Sequence, residues 1–167
     1  MLNRRQISLA ALAAGVSAAC SAAGNTDPMK KDTAMTDTTD WAALTEGQWR
    51  DRLTDAQFHV LRKEGTERPF TSPLNDIKEA GTFSCAGCDL PLFTTEMKYD
   101  SGTGWPSFFN VMQDNIGTKT DKKLFMTRTE YHCKRCGGHQ GHVFNDGPAP
   151  TGLRYCNNGV ALNFTPA

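Results

Sequence analysis

Cys85-Ala86-Gly87-Cys88 and Cys133-Lys134-Arg135-Cys136 are the stretches around which this 167-residue chain is arranged. A two-residue gap lets a tight turn aim two thiolates at one point, and four thiolates around one point form the tetrahedral site that Zn2+ prefers. Glycines stand where such turns use them: Gly87 inside the first pair, Gly137 and Gly138 after the second. Residues 89–132 lie between the pairs, so a shared ion would close a long loop and tie two distant hairpins together. Paired disulfides are the competing reading if the protein is exported. A thioredoxin-like redox pair would need a strand running into a helix within a βαβ unit, which neither neighbourhood shows. A shared structural zinc is the favoured reading, and it leaves Cys20 and Cys156 to be explained separately.

The length suits one domain plus extras. Formal net charge is zero, so no basic field exists to attract nucleic acid, and a nucleic-acid-binding zinc ribbon is excluded. Hydrophobic content is 38%, low for a globular chain and consistent with dilution by a polar linker.

Residues 1–20 read as an export signal. Asn3-Arg4-Arg5-Gln6-Ile7-Ser8-Leu9 supplies the positive region and resembles a twin-arginine signal. The apolar run from Ile7 to Ala19 is too short and too rich in alanine for an ordinary membrane span, a retained anchor helix being the alternative. Twin-arginine export carries folded proteins, which suits a metal loaded in a reducing cytoplasm. Ser17-Ala18-Ala19-Cys20 resembles a bacterial lipoprotein cleavage box, with serine where leucine is usual; ordinary cleavage after small residues competes with it. The expected destination is the bacterial periplasm, with a lipid anchor on Cys20 under the first reading. Residues 21–40 are polar and small and form a flexible linker.

The folded domain is expected over residues 41–167. Thr54-Asp55-Ala56-Gln57 has the form of a capping box, followed by Phe58, Leu61 and Ala56 on one face and Gly65 as a stop. A shorter helix is expected between Thr45 and Leu53, and an irregular extended segment between Glu67 and Leu74. Beyond Gly81 short strands alternate with turns: Thr82-Phe83-Ser84, Leu92-Phe93-Thr94-Thr95, Lys123 to His132, His142-Val143-Phe144, the turn Asn145-Asp146-Gly147-Pro148, and a long last strand from Leu153 to Phe164. The fold class is mainly β and antiparallel, with helices only at the front.

Cys156 lies in Gly152-Leu153-Arg154-Tyr155-Cys156-Asn157-Asn158-Gly159. Strand alternation places Arg154, Cys156 and Asn158 on one face. A guanidinium beside a thiol lowers its pKa and raises the population of thiolate, the nucleophilic form. A buried inert cysteine, the alternative, has no use for that neighbour. His139-Gln140-Gly141-His142 supplies a proton donor near neutral pH; as a metal pair it lacks a third ligand. Strict alternation sends the two imidazoles to opposite faces unless Gly141 relaxes it, which favours His142. Ser101-Gly102-Thr103-Gly104-Trp105-Pro106-Ser107-Phe108 is a glycine-rich loop in which Trp105 is either core or the wall of a small apolar pocket.

Taken together, the segments Ser101–Phe108, His139–Phe144 and Arg154–Asn158, with both cysteine pairs, resemble the type B methionine-R-sulfoxide reductases over about Trp41 to Phe164. The resemblance implies two antiparallel β-sheets with N-terminal helices and a structural zinc, held by Cys85, Cys88, Cys133 and Cys136, far from the chemistry. It implies that Cys156 attacks the sulfoxide sulfur and becomes a sulfenic acid. It places His142, His139 and Asn158 around the departing oxygen, Arg154 beside the thiolate, and Trp105 against the substrate methyl group. Many members carry a resolving cysteine where Thr103 stands here, so the resemblance implies a one-cysteine cycle completed by thioredoxin or another external thiol. Gln140 stands where leucine is usual, and Asn145 where an acid is frequent. Oxidised proteins are the expected substrates and a monomer the expected state. A zinc-stapled binding module without turnover is the alternative class.

Overall fold

Two back-to-back capping boxes open the ordered part of the chain. In each, a threonine hydroxyl accepts from the backbone N–H three residues on, while the glutamine there reaches back to the threonine N–H. Thr45 and Gln48 start α1 (Glu46–Arg52), a shorter helix within the expected Thr45–Leu53 interval, and Thr54 and Gln57 start α2 (Asp55–Lys63) with the capping box read from the sequence. The computed structural model describes residues 39–123 and 126–167. The expected export signal, Cys20 and nearly all of the linker lie outside them. Among the described residues no helix is long and apolar enough to cross a membrane.

Two details of α2 differ from expectation. The helix stops at Glu64, whose backbone is left-handed (φ 53°), and Gly65 N–H donates to the His59 carbonyl. Ala56 faces solvent; the inward face is Phe58, Val60 and Leu61.

The remainder is β1 (Gly81–Cys85), β2 (Pro91–Thr94), β3 (Lys98–Tyr99), β4 (Ser107–Phe108), β5 (Ile116–Lys123), β6 (Met126–Cys133), β7 (His139–Phe144), β8 (Arg154–Asn157) and β9 (Leu162–Pro166), joined by short 3-10 turns. All pairings are antiparallel. They form a three-stranded sheet ordered β2-β1-β9 and a six-stranded sheet ordered β3-β4-β8-β7-β6-β5. The expected class, mainly β with two antiparallel sheets and front helices, is the one observed. An aromatic core joins the sheets: Phe93 stacks on Phe108 at 4.0 Å between centroids, Phe83 meets Phe108 edge-on, and Tyr131 meets Tyr155 edge-on at 5.5 Å.

The single strand expected from Leu153 to Phe164 is two strands in two different sheets. A 3-10 turn at Gly159–Ala161 separates them. The Glu67 carboxylate takes the backbone N–H groups of Gly159 and Val160, the latter at 3.0 Å, and so removes them from any strand ladder. Ser72 occupies the space a side chain at residue 159 would need, with its hydroxyl 1.9 Å from the ideal Cβ position. The cause is an acid 92 positions away in the chain, beyond the reach of local pattern.

Replacing Glu67 with alanine leaves two half-buried N–H groups without their charged acceptor. Equilibrium urea unfolding is expected to show a loss of about 1–3 kcal/mol at an unchanged denaturant slope.

Candidate active site and metal centre

The two cysteine turns are built alike. Cys85 N–H donates to Leu90 O and Cys133 N–H to Gly138 O, five residues on in each case. Asp89 N–H returns to Cys85 O and Gly137 N–H to Cys133 O, both at 2.8 Å. The residue that turns the chain is left-handed in both, Asp89 at φ 56° and Gly137 at φ 68°. Gly137 serves as expected, whereas in the first turn Asp89 performs that task and Gly87 does not. Aspartate tolerates the left-handed region because its short side chain can bond locally.

The four sulfurs are buried and lie within 4.8 Å of one another, with Cys85–Cys136 at 3.6 Å and Cys88–Cys133 at 3.5 Å. A disulfide requires about 2.05 Å. A tetrahedron of sulfurs around an ion at 2.3 Å has edges of about 3.8 Å. The spacing therefore fits a shared metal ion and does not fit disulfides. Arg62 and Arg135 bond the carbonyls of Cys136 and Cys88, at 2.8 and 3.0 Å, and hold the two turns in place. Hydrogen bonding to Cys133 pushes the thiols of Cys85 and Cys88 up, while Cys133, facing donors on Cys136, is pulled down.

The chemical residues lie on one line across the six-stranded sheet. Directly opposed pairs run Tyr99↔Ser107, Ser107↔Cys156, Cys156↔His142, His142↔Glu130 and Glu130↔Lys119. Opposed residues share a face, so these side chains stand in a row. His139 joins the same face through a β-bulge. Tyr131 opposes Gly141 but His132 opposes His139, leaving Gln140 as the extra residue. The bulge restores the parity that alternation would have broken, and the two imidazoles lie 5.5 Å apart between centroids. Gly141 is needed for close approach: a Cβ there would lie 1.9 Å from the Cys156 carbonyl oxygen.

Each imidazole has a carboxylate behind it. His139 Nδ1 bonds Glu130 at 2.7 Å, and the other oxygen of Glu130 bonds His132 at 3.2 Å. His142 Nε2 bonds Asp121 at 2.8 Å, and Arg128 donates to the same oxygen. Burial holds His142 below its ordinary value, so its neutral ring donates the Nε2 proton to Asp121. Arg154 is buried beside Cys156, lies over the Phe144 ring at 4.4 Å, and makes a two-pronged bond to Asp146 with both contacts at 2.8 Å.

Burial also pushes the Cys156 thiol up. The Arg154 charge and the Thr103 hydroxyl pull it back without overcoming burial. Arg154 acts on Cys156 in the expected direction, and desolvation is the larger influence. Asn158 is buried, with its side-chain N–H donating to Gln140 O at 2.9 Å and its oxygen accepting from Glu67 N–H at 3.0 Å. Trp105 is half-buried, anchored by its indole N–H to Glu67 O at 3.1 Å. A cavity of about 120 Å³ brings Trp105, His142, Phe144, Cys156 and Asn158 together; His139 opens onto the adjoining one with Asp121 and Glu130.

Asp121, Glu130, Asp146 and Glu67 were not found by the sequence reading. Only the β5–β6 register, which sets Asp121 opposite Arg128 and Glu130 opposite Lys119, carries a signal for the first two.

The chain matches the SelR domain model over residues 53–166. It is 54% identical over 121 residues to the peptide methionine sulfoxide reductase MsrB of Methanosarcina barkeri, covering 72% of this chain and 85% of that one. It is 50% identical over 123 residues to the protein of the same name from Agrobacterium fabrum, at 73% and 91% coverage. It is 42% identical over 159 residues to the chloroplastic peptide methionine sulfoxide reductase B1 of Arabidopsis thaliana, at 95% and 75% coverage.

The buried His142 makes stability depend on pH with a definite sign. Its ordinary value is 6.5 and the folded value is lower. Between them the unfolded chain binds more protons, so stability falls as pH falls. Asp121, held below 3.8 by its bond from His142, adds a second loss at more acid pH, as it takes up a proton. The thermal midpoint of the metal-loaded protein is expected to drop from pH 7 to pH 5, and His142→Asn to flatten that interval.

Proposed function

This chain belongs to the SelR-domain family of peptide methionine sulfoxide reductases of the MsrB type, enzymes that reduce methionine sulfoxide in proteins, and on that premise we propose that it reduces the R epimer with Cys156 as its sole redox-active thiol. The observation that carries the reading is the cross-strand pairing of Cys156 with His142 in a cavity walled by Trp105.

In the first step the Cys156 sulfur bonds to the sulfoxide sulfur as the sulfoxide oxygen takes up one proton; the S–O bond then breaks, the hydroxyl passes to the Cys156 sulfur, methionine leaves, and Cys156 becomes a sulfenic acid. The sulfur of the substrate is reduced by two electrons and that of Cys156 is oxidised by two. His142, with its Nε2 proton committed to Asp121, uses its other ring nitrogen as the site that gains and gives the mobile proton. His139 lies beside it, and Glu130 holds the orientation of that ring. Arg154, fixed by Asp146, offsets negative charge at Cys156 as it forms. Asn158 has its amide engaged by backbone, which supports a role in shaping the cavity around the oxygen. The half-buried indole of Trp105 supports selection by shape: oxygen and methyl cannot exchange places against a rigid wall.

The cycle closes through an external thiol. Its attack on the sulfenic acid releases water and leaves a mixed disulfide, and a second thiol frees Cys156. Thr103 at the position of the resolving cysteine, and commitment of the other four described cysteines to one cluster, support this reading. Thioredoxin or a small dithiol can serve. Zinc fits the four-sulfur site, held by Cys85, Cys88, Cys133 and Cys136, and supplies structural cross-linking there. The N-terminal sequence supports export to the bacterial periplasm, with Cys20 lipidated or removed.

With dithiothreitol as reductant, peptides carrying the R epimer are expected to turn over and those carrying the S epimer to persist; turnover of S would overturn the proposal. Cys156→Ser should abolish turnover, and His142→Asn should lower kcat by about 10²–10⁴-fold. Thr103→Cys should permit an internal disulfide after one turnover, read as the loss of both thiols without added reductant.

A further inference from the structure

Gln140 has no place in the reaction as derived, yet it is completely buried, at 0% exposure. The β7 bulge turns it away from the face bearing His139 and His142 and toward the inter-sheet core. Its Nε2 lies 3.3 Å from Cys85 Sγ, and its Oε1 accepts from Asn157 Nδ2 at 3.4 Å. The amide orientation is determined by these neighbours. Reversed, it would set an oxygen against sulfur and an NH2 against an NH2. Asn157 is locked in turn: its oxygen accepts from the Tyr131 hydroxyl at 2.5 Å, and its NH2 also donates to Asn158 O at 2.8 Å. Donors therefore point the same way from Tyr131 through Asn157 and Gln140, and the series ends on a cysteine sulfur. Such a chain polarises toward its last acceptor, and it is strongest when that acceptor carries negative charge.

We propose that Gln140 is a positioning residue of the metal centre, donating a hydrogen bond to the metal-bound sulfur of Cys85 from an amide oriented by Asn157 and Tyr131. The proposal rests on the reading of the four cysteines as a zinc site. A metal-bound sulfur is a thiolate and a good acceptor, whereas a thiol is a weak one. The donor therefore matters to the loaded protein. Groups that orient and hold metal ligands in this way typically alter metal affinity 10–100-fold when removed.

The test uses Gln140→Met, which keeps length and volume and removes the N–H, and Gln140→Leu as a second apolar variant should the first fail to fold. Competition with a chromophoric chelator is expected to show zinc held about 10–100-fold more weakly. In the cobalt(II)-substituted protein the sulfur-to-metal charge-transfer band should move to lower energy, because a thiolate without its hydrogen bond is a better electron donor. A side chain that merely fills space would leave that band where it is in the unaltered protein. Unchanged zinc affinity with an unmoved band overturns the proposal while leaving the zinc reading intact. A folded unaltered protein that binds neither zinc nor cobalt overturns both.

Discussion

The convergence of four sulfurs is the constraint on which the rest of the structure depends. Cys85 ends β1 in the three-stranded sheet, and Cys133 ends β6 in the six-stranded sheet. Each is followed by a turn of the same hydrogen-bond pattern that brings back a second sulfur. The cluster thus joins the sheets at one point, and the aromatic stack of Phe93 and Phe108 fills the space between them. Helix α2 is tied to the same point through Arg62. An ion held there would cross-link residues far apart in sequence and remove much of the freedom of the unfolded chain.

The chemistry is arranged by a different device. Cys156 and the imidazoles sit on adjacent strands, and each basic side chain around the cavity has a carboxylate behind it: Asp121 behind His142, Glu130 behind His139, Asp146 behind Arg154. Partnered in this way, the buried carboxylates and the guanidinium keep their hydrogen bonds out of water. These acids orient the two imidazole rings and fix where the guanidinium points. Burial pushes the Cys156 thiol up, and Arg154 beside it favours the ionised form.

Much of this was legible because the relevant signals are local. The cysteine spacings, the capping box at Thr54 and the alternation leading into Cys133 depend on neighbours a few residues apart. What was missed depends on groups distant in sequence. Nothing near Gly159 announces that Glu67 will take its N–H and break the last strand. Nothing in His139-Gln140-Gly141-His142 announces the bulge that brings both imidazoles to one face, since it is defined by the register of β6. Asp121 and Glu130 read as ordinary polar positions until the β5–β6 pairing aligns them. Gln140 looked like a tolerable variation for the same reason: the sulfur it meets belongs to the other sheet.

The alignment of Cys156 with His142 across neighbouring strands has one further implication. The separation of Cys156 from His142 is an inter-strand spacing, a length belonging to the peptide backbone and common to every antiparallel ladder. Side chains around the site can drift without changing that ruler. A single inserted or deleted residue in either strand would invert it, sending one partner to the far side of the sheet. Apart from Gly141, whose missing side chain lets the two strands approach, this geometry is written in the count of residues more than in their identity.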